Sequence, residues 1–211
     1  MRTDDLINAL SQDAAVKWPL ARALGLAVTV GAAFAAVLFF VKIGPRADIA
    51  AAAATYRFLF KFVVTLSLAV AAGGLILRLA RPGARMGGWG PALAVAPALL
   101  LAAVAMELAA MPPSSWGARW IGTNNRYCLV LIPLLALGPL ACILYALRQG
   151  APEHPGKAGA VAGLLASGIA ATLYASHCTD DSPLFVATWY TLATGIVTLA
   201  GYLAGRRLLR W

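Results

Sequence analysis

Three thiols and one short polar cluster hold most of the reactive chemistry in this 211-residue chain. The thiols are Cys128, Cys142 and Cys178, and the cluster reads His177-Cys178-Thr179-Asp180-Asp181-Ser182-Pro183. From His177 to Asp181 it gathers an imidazole, a thiol and two carboxylates. Soft thiolate and imidazole suit zinc, cadmium or copper, and carboxylate can complete the set. Cys128 could join as a second sulfur ligand, or pair with Cys178 as a disulfide in an oxidising compartment. The candidate sensing site is therefore Cys128, Cys178, His177 and Asp180. It would take up a heavy-metal ion transiently or close a disulfide, with no obligatory cofactor. A plainer reading makes the cysteines inert small hydrophobes and lets Asp180-Asp181, ahead of Ser182-Pro183, cap the next helix. Glu107 is the one carboxylate inside a long apolar run; it is either a further ligand or a partner for Lys61 or Arg126.

Catalytic signatures are missing. There is no CxxC pair for thiol exchange, no HExxH for zinc hydrolysis and no GxSxG nucleophile elbow. The expectation is a protein that is not an enzyme.

The elements that must position these residues follow from composition. Hydrophobic residues make up 61% of the chain and charged ones only 12%, about half the usual soluble share of roughly 25%. A soluble core could not absorb that apolar surface, and a disordered chain would be rich in charge instead. Long continuous runs argue against a barrel, whose strands alternate. The fold class expected is all-α: a polytopic bundle of six transmembrane helices with a short cytoplasmic N-terminal helix. At about 20 residues per crossing, the spans are Leu20–Val41, Phe58–Leu77, Pro91–Met111, Tyr127–Leu147, Ala158–Cys178 and Pro183–Gly205. Residues 1–19 form a cytoplasmic amphipathic segment and residues 20–211 the membrane domain. The first apolar run is too long and starts too late for a cleavable signal. Lys61 and Glu107 lie near span ends, where they can reach headgroups.

The net charge of +9 would suggest nucleic acid in a soluble domain. Here the basic residues sit between apolar runs and read as orientation signals, so no direct nucleic-acid contact is expected. With a cytoplasmic N-terminus, that side carries Arg2, Lys17, Arg22, Arg78, Arg81, Arg85, Arg148, Lys157, Arg206, Arg207 and Arg210. The other side carries Lys42, Arg46, Arg57, Lys61, Arg119 and Arg126. The majority places both termini inside. Helix four then runs inward and helix five outward, so Cys128 and Cys178 share the outer rim. Cys142 lies about 21 Å deeper at the usual helical rise.

Small residues at Gly159, Gly163, Ser167, Ala171 and Ala175 give helix five one smooth face, and Gly201 and Gly205 do the same for helix six. Pro133 and Pro139 should kink helix four. At the N-terminus Thr3 can cap a helix with Asp4 and Asp5 in its first turn. Leu6, Ile7, Leu10 and Ala14 form its apolar stripe. Carboxylates on its polar face disfavour an anionic membrane surface and favour a basic protein groove, with a solvated lead-in as the alternative.

The opening Met1-Arg2-Thr3-Asp4-Asp5-Leu6-Ile7-Asn8-Ala9-Leu10 resembles the start of the NrsF family of six-span bacterial anti-sigma factors. So do Ile132-Pro133-Leu134-Leu135 and Ala146-Leu147-Arg148-Gln149-Gly150-Ala151-Pro152. The most specific match is Leu173-Tyr174-Ala175-Ser176-His177-Cys178-Thr179-Asp180-Asp181-Ser182-Pro183-Leu184-Phe185, followed by Trp189-Tyr190. The resemblance covers essentially the whole chain. It implies a multi-pass protein of the bacterial inner membrane that holds an extracytoplasmic-function sigma factor inactive at the cytoplasmic face. The family's paired cysteines map onto Cys128 and Cys178, while Cys142 has no place in the pattern. Partner binding would fall to Thr3, Asp4, Asp5, Leu6, Ile7 and Leu10, and the lipid bilayer would be the other partner. The alternatives are a small metal or solute permease using Glu107, His177, Asp180 and Asp181 as an entry site, and an accessory subunit of a larger membrane complex.

Overall fold

The computed structural model describes residues 19–81, 83 and 87–210. The proposed partner-binding residues Thr3, Asp4, Asp5, Leu6, Ile7 and Leu10 therefore lie outside the described residues. Along the chain run α1 (Leu20–Lys42), α2 (Ile49–Ala53), α3 (Tyr56–Leu79), α4 (Trp89–Ala92), α5 (Val95–Ala110), α6 (Trp116–Ile121), α7 (Asn125–Leu147), α8 (Pro155–Ala175), α9 (Pro183–Phe185) and α10 (Thr191–Leu208). A 3-10 turn, Pro113–Ser115, leads into α6, and a π-helical turn, Val186–Tyr190, joins α9 to α10. No strand occurs among the described residues. Six helical stretches are long and apolar enough to cross a bilayer, in the expected order. Large apolar side chains also face outward, with Phe40 64% and Leu101 71% exposed. Such surface suits lipid rather than water.

Local chemistry sets several helix ends. Pro155 and Pro183 occupy first turns, where their missing N–H costs nothing. Thr55 caps α3 by accepting a bond from the Phe58 backbone N–H at 3.4 Å. Lys42, Arg78, Arg206 and Arg207 sit in last turns, which suits the negative end of the helix dipole. The third apolar stretch is interrupted between Ala92 and Val95, and α8 ends at Ala175, so Cys178 sits in the following loop.

Helix α8 is the most enclosed of the spans and touches α1, α3, α7 and α10. Its small face meets the matching face of α10. A Cβ added to Gly163 would stand 2.6 Å from the Val197 carbonyl oxygen, and one added to Gly205 would stand 2.8 Å from Gly159 Cα. Close backbone approach gives dispersion contact over the full length of the pair. The two helices on the far side use a different device. Pro139 lies inside α7, which stays helical from Asn125 to Leu147, and it fits against Gly31 of α1, where a Cβ would approach Pro139 Cα to 2.6 Å. Thr172 donates to Thr65 at 3.0 Å and ties α8 to α3.

Replacing Gly163 with Leu should force α8 and α10 apart. The expected loss is about 1–3 kcal/mol or more, as for an overpacked core, seen as a lower melting temperature in detergent. Gly195→Leu on the open side of α10, where no heavy atom lies within 4 Å of an added Cβ, should leave it unchanged.

Candidate functional site

The ends of α1, α5 and α8, the starts of α3 and α7 and the residues before α10 meet at one rim of the bundle. Cys128 lies in the first turn of α7, and Cys178 three residues beyond α8. Both are fully buried free thiols, neighbours in the same buried cluster. Tyr174 and Tyr190 flank them, with ring centroids 5.9 Å apart. The π-helical turn shifts the register of the chain just where it delivers Tyr190. Cys142 stays apart and lines a groove between α1 and α7 with Leu26, Val30 and Tyr145.

The other two residues of the candidate set point elsewhere. His177 Nδ1 lies 2.9 Å from the Gly44 carbonyl oxygen. Asp180 accepts from the backbone N–H groups of Thr123, at 3.0 Å, and Asn124, at 2.7 Å. Its carboxylate thereby holds the approach to α7, not α10. Among the described residues no group of three or more His, Cys, Asp or Glu side chains is arranged to hold a metal ion. The structure thus joins Cys128 to Cys178 but does not assemble the four-residue set Cys128, Cys178, His177 and Asp180.

Two charged residues require correction. Lys61 does not reach for headgroups: it is fully buried. Its ammonium donates to the Cys178 carbonyl at 2.8 Å and pairs with Asp181 at 2.5 Å, over the face of the Phe58 ring. Glu107 is buried as well, and its partner is Arg119 at 2.9 Å, not Lys61 or Arg126. Its second oxygen accepts from Ser182 Oγ at 2.7 Å and from the Leu184 backbone N–H at 3.1 Å. The cap of the last span therefore comes from α5 in space, not from Asp180-Asp181 next door in sequence. Glu107, His177, Asp180 and Asp181, the residues of a conceivable entry site, all have protein partners.

Arg46 completes the clamp. It bonds Asp48 through two nitrogens, at 2.6 and 2.7 Å, and Asp181 through a third at 2.9 Å. Its backbone N–H donates to the Ser176 carbonyl at 3.0 Å. The Arg46 fork holds the Asp48 carboxyl below the usual carboxylate range, and the same bond raises the guanidinium above its ordinary value. Since the Asp48 value is depressed, this contact operates above the ordinary carboxylate range and is lost as pH falls through the lowered value. The loop from Gly44 to Asp48 is thus fastened to the loop that carries Cys178.

The chain matches the family model NrsF, "Negative regulator of sigma F", over residues 10–211. It is 35% identical to the probable anti-sigma-F factor NrsF of Azospira oryzae and 35% identical to the anti-sigma-F factor NrsF of Caulobacter vibrioides. In each case all of both chains is covered. It belongs to the NrsF family. No solved structure matches it. The family is a regulatory one, in keeping with the lack of a catalytic constellation in the sequence.

Charge pairing makes an asymmetric forecast. Asp181→Ala strands Lys61 in an apolar bundle and should destabilise by about 3–5 kcal/mol, the range for breaking a buried pair. Lys61→Met leaves Asp181 with Arg46 and should cost less. Chemical denaturation in detergent would rank the two variants; equal losses, or a larger one for Lys61→Met, would contradict this asymmetry.

Proposed function

We propose that this chain is a membrane anti-sigma factor: it sequesters an extracytoplasmic-function sigma factor at the bacterial inner membrane and releases it when its thiol pair reacts. The observation that carries the reading is the meeting of Cys128 and Cys178 at one end of the bundle, in a chain of the NrsF family. One sulfur lies in the first turn of α7 and the other just beyond the end of α8, and both helices reach the opposite face of the bundle.

The excess of basic residues in the connections at that opposite face supports a cytoplasmic side there, with both termini on it. The acidic leading segment, with Leu6, Ile7 and Leu10 as its apolar stripe, docks in a groove of the sigma factor. The loops after α3 and α7 lie next to one another, because the Gly83 backbone N–H donates to Glu153 at 2.6 Å. They form one platform beside the bound partner. Oxidation to a disulfide, or capture of a thiophilic metal ion by the two sulfurs, changes the spacing that the pair prefers. A ligand or bond shifts a two-state balance only through its different free energy in the two states. A pair whose separation differs between grip and release meets that condition.

Co-purification from detergent extract should recover a sigma factor with the full chain. Deletion of residues 2–16 should abolish recovery and make the sigma factor's targets constitutive; undiminished repression would remove this segment from the scheme. Cys128→Ser or Cys178→Ser should blunt induction by oxidants or heavy metals while repression persists. Orientation has its own check. A membrane-impermeant maleimide should label Ser114→Cys in intact spheroplasts and not Gln149→Cys, and the reverse pattern would invert the topology.

A further inference from the structure

Arg57 is a cation at this rim that the protein leaves unmatched. Arg46, Lys61 and Arg119 each hold a carboxylate. The half-buried Arg57 lies in the first turn of α3. Its guanidinium has no ion pair or hydrogen bond among the described residues and stands 6.0 Å from the centroid of the Tyr56 ring. The nearby carboxylates are already engaged. Glu107 holds Arg119, Ser182 and the Leu184 N–H. Asp181 holds Lys61 and Arg46, and Asp180 takes the N–H groups of Thr123 and Asn124.

Two hollows share Arg57. One, of about 360 Å³, is a groove between α3 and α5 lined by Arg57, Phe60, Ala103, Met106, Glu107 and Ala110. The other, of about 400 Å³, is a polar mouth lined by Arg57, Ser115, Arg119, Thr179, Asp180 and Asp181. Helix α3 packs mainly on α8 and more lightly on α5. That leaves the groove open along its apolar side, where Tyr56 and Met106 are exposed. An apolar groove and a polar mouth with a spare cation at their junction match a molecule with an acidic head and an apolar tail.

We infer that this junction docks an anionic phospholipid, its phosphate on Arg57 and one acyl chain laid between α3 and α5. A planar guanidinium pairs with a phosphate through two parallel N–H bonds, and basic pockets between membrane helices hold acidic headgroups. Groove and bilayer are equally apolar, so the chain gains little by entering. The groove therefore fixes where the lipid lies, and the head decides which lipid it is. A zwitterionic lipid brings its own cation to the same place and loses the preference. A free phosphate could reach Arg57 but has no use for the groove.

The test uses the full chain in phosphatidylcholine nanodiscs with a trace of lipid that carries a photoactivatable diazirine in one acyl chain. The probe is either phosphatidylglycerol or phosphatidylcholine, and adducts are mapped to peptides by mass spectrometry. Phosphatidylglycerol should mark the peptides around Phe60 and Met106 about fivefold more, the usual worth of one basic residue at an anionic surface. Arg57→Gln should remove that preference, and Arg57→Lys should keep part of it. Arg207→Gln, the same charge change in the last turn of α10, should leave it intact. Ala110→Phe, at an exposed position, should fill the groove and lower the adducts while Arg57 remains. Equal marking by the two probes, or a preference that survives Arg57→Gln, overturns the inference. An equal loss with Arg207→Gln would mean an effect of bulk charge, and displacement by excess soluble glycerol phosphate would mean a free-anion site; either result also overturns it. The site needs neither the thiol pair nor a sigma factor. Failure here leaves the proposed function standing, and failure to recover a sigma factor leaves this site untouched.

Discussion

A lysine ammonium sealed inside an apolar bundle needs fixed partners. Lys61 has three: the Cys178 carbonyl, the Asp181 carboxylate and the face of Phe58. Two of these belong to the loop between the last two spans, so the energetic demand of one side chain on α3 dictates where that loop lies. Asp181 cannot follow the loop outward without abandoning Lys61, and it also engages Arg46, whose loop is bonded to the same region through Ser176 and His177. The rim is consequently a single ionic and hydrogen-bonded unit. The thiol pair lies beneath it, and any change in the Cys128–Cys178 separation must involve this unit.

Placement of carboxylates at this rim follows one rule: each satisfies a group left over by secondary structure or by burial. Glu107 neutralises Arg119 and takes the exposed N–H at the start of the last span. Asp180 does the equivalent service just ahead of α7. Unpaired backbone groups cannot turn to water inside a bilayer, and helix starts at its edge gain most from such cross-chain caps. This explains why so many acidic residues gather at one end without forming a metal cage.

Much of the architecture was legible from hydropathy alone. Six runs of sufficient length gave six spans, because an apolar stretch of about 20 residues has few other options. The small faces of Gly159, Gly163, Gly201 and Gly205 announced close packing, since only backbone contact rewards such spacing. Counting helix directions was enough to bring Cys128 and Cys178 to one rim. What failed was the choice of partners. Lys61 lies close to a span end, so snorkelling was a reasonable inference, yet its side chain turns inward to a loop 117 residues away. Sequence proximity offered Asp180-Asp181 as the cap for the last span, whereas Glu107 reaches it from another helix. His177 beside Cys178 looked like a ligand, but its ring nitrogen is directed to Gly44. In each case a long-range hydrogen bond outranked a local motif, and no local pattern encodes such a choice. The π-helical turn that places Tyr190 was equally hidden, because an added residue in a helix leaves the hydropathy profile unchanged.

The same packing determines how a change at the rim can travel in the proposed scheme. Side-chain interfaces absorb small displacements by rotamer adjustment, but the α8–α10 contact has almost no side chains to adjust. Gly159, Gly163, Gly201 and Gly205 bring backbone against backbone, so a displacement of α8 presses directly on the backbone of α10. Helix α7 is held to α1 by Pro139 seated on Gly31 and by the Phe34 ring against Gly138. In that scheme a bond between Cys128 and Cys178 would act on helices already packed closely on their neighbours, α7 on α1 and α8 on α10. A change at the rim would then be passed along these helices to their opposite ends. At those ends the loop from α7 to α8 is bonded to the loop after α3 through Gly83 and Glu153, so the proposed scheme would deliver the change to this joined pair of loops.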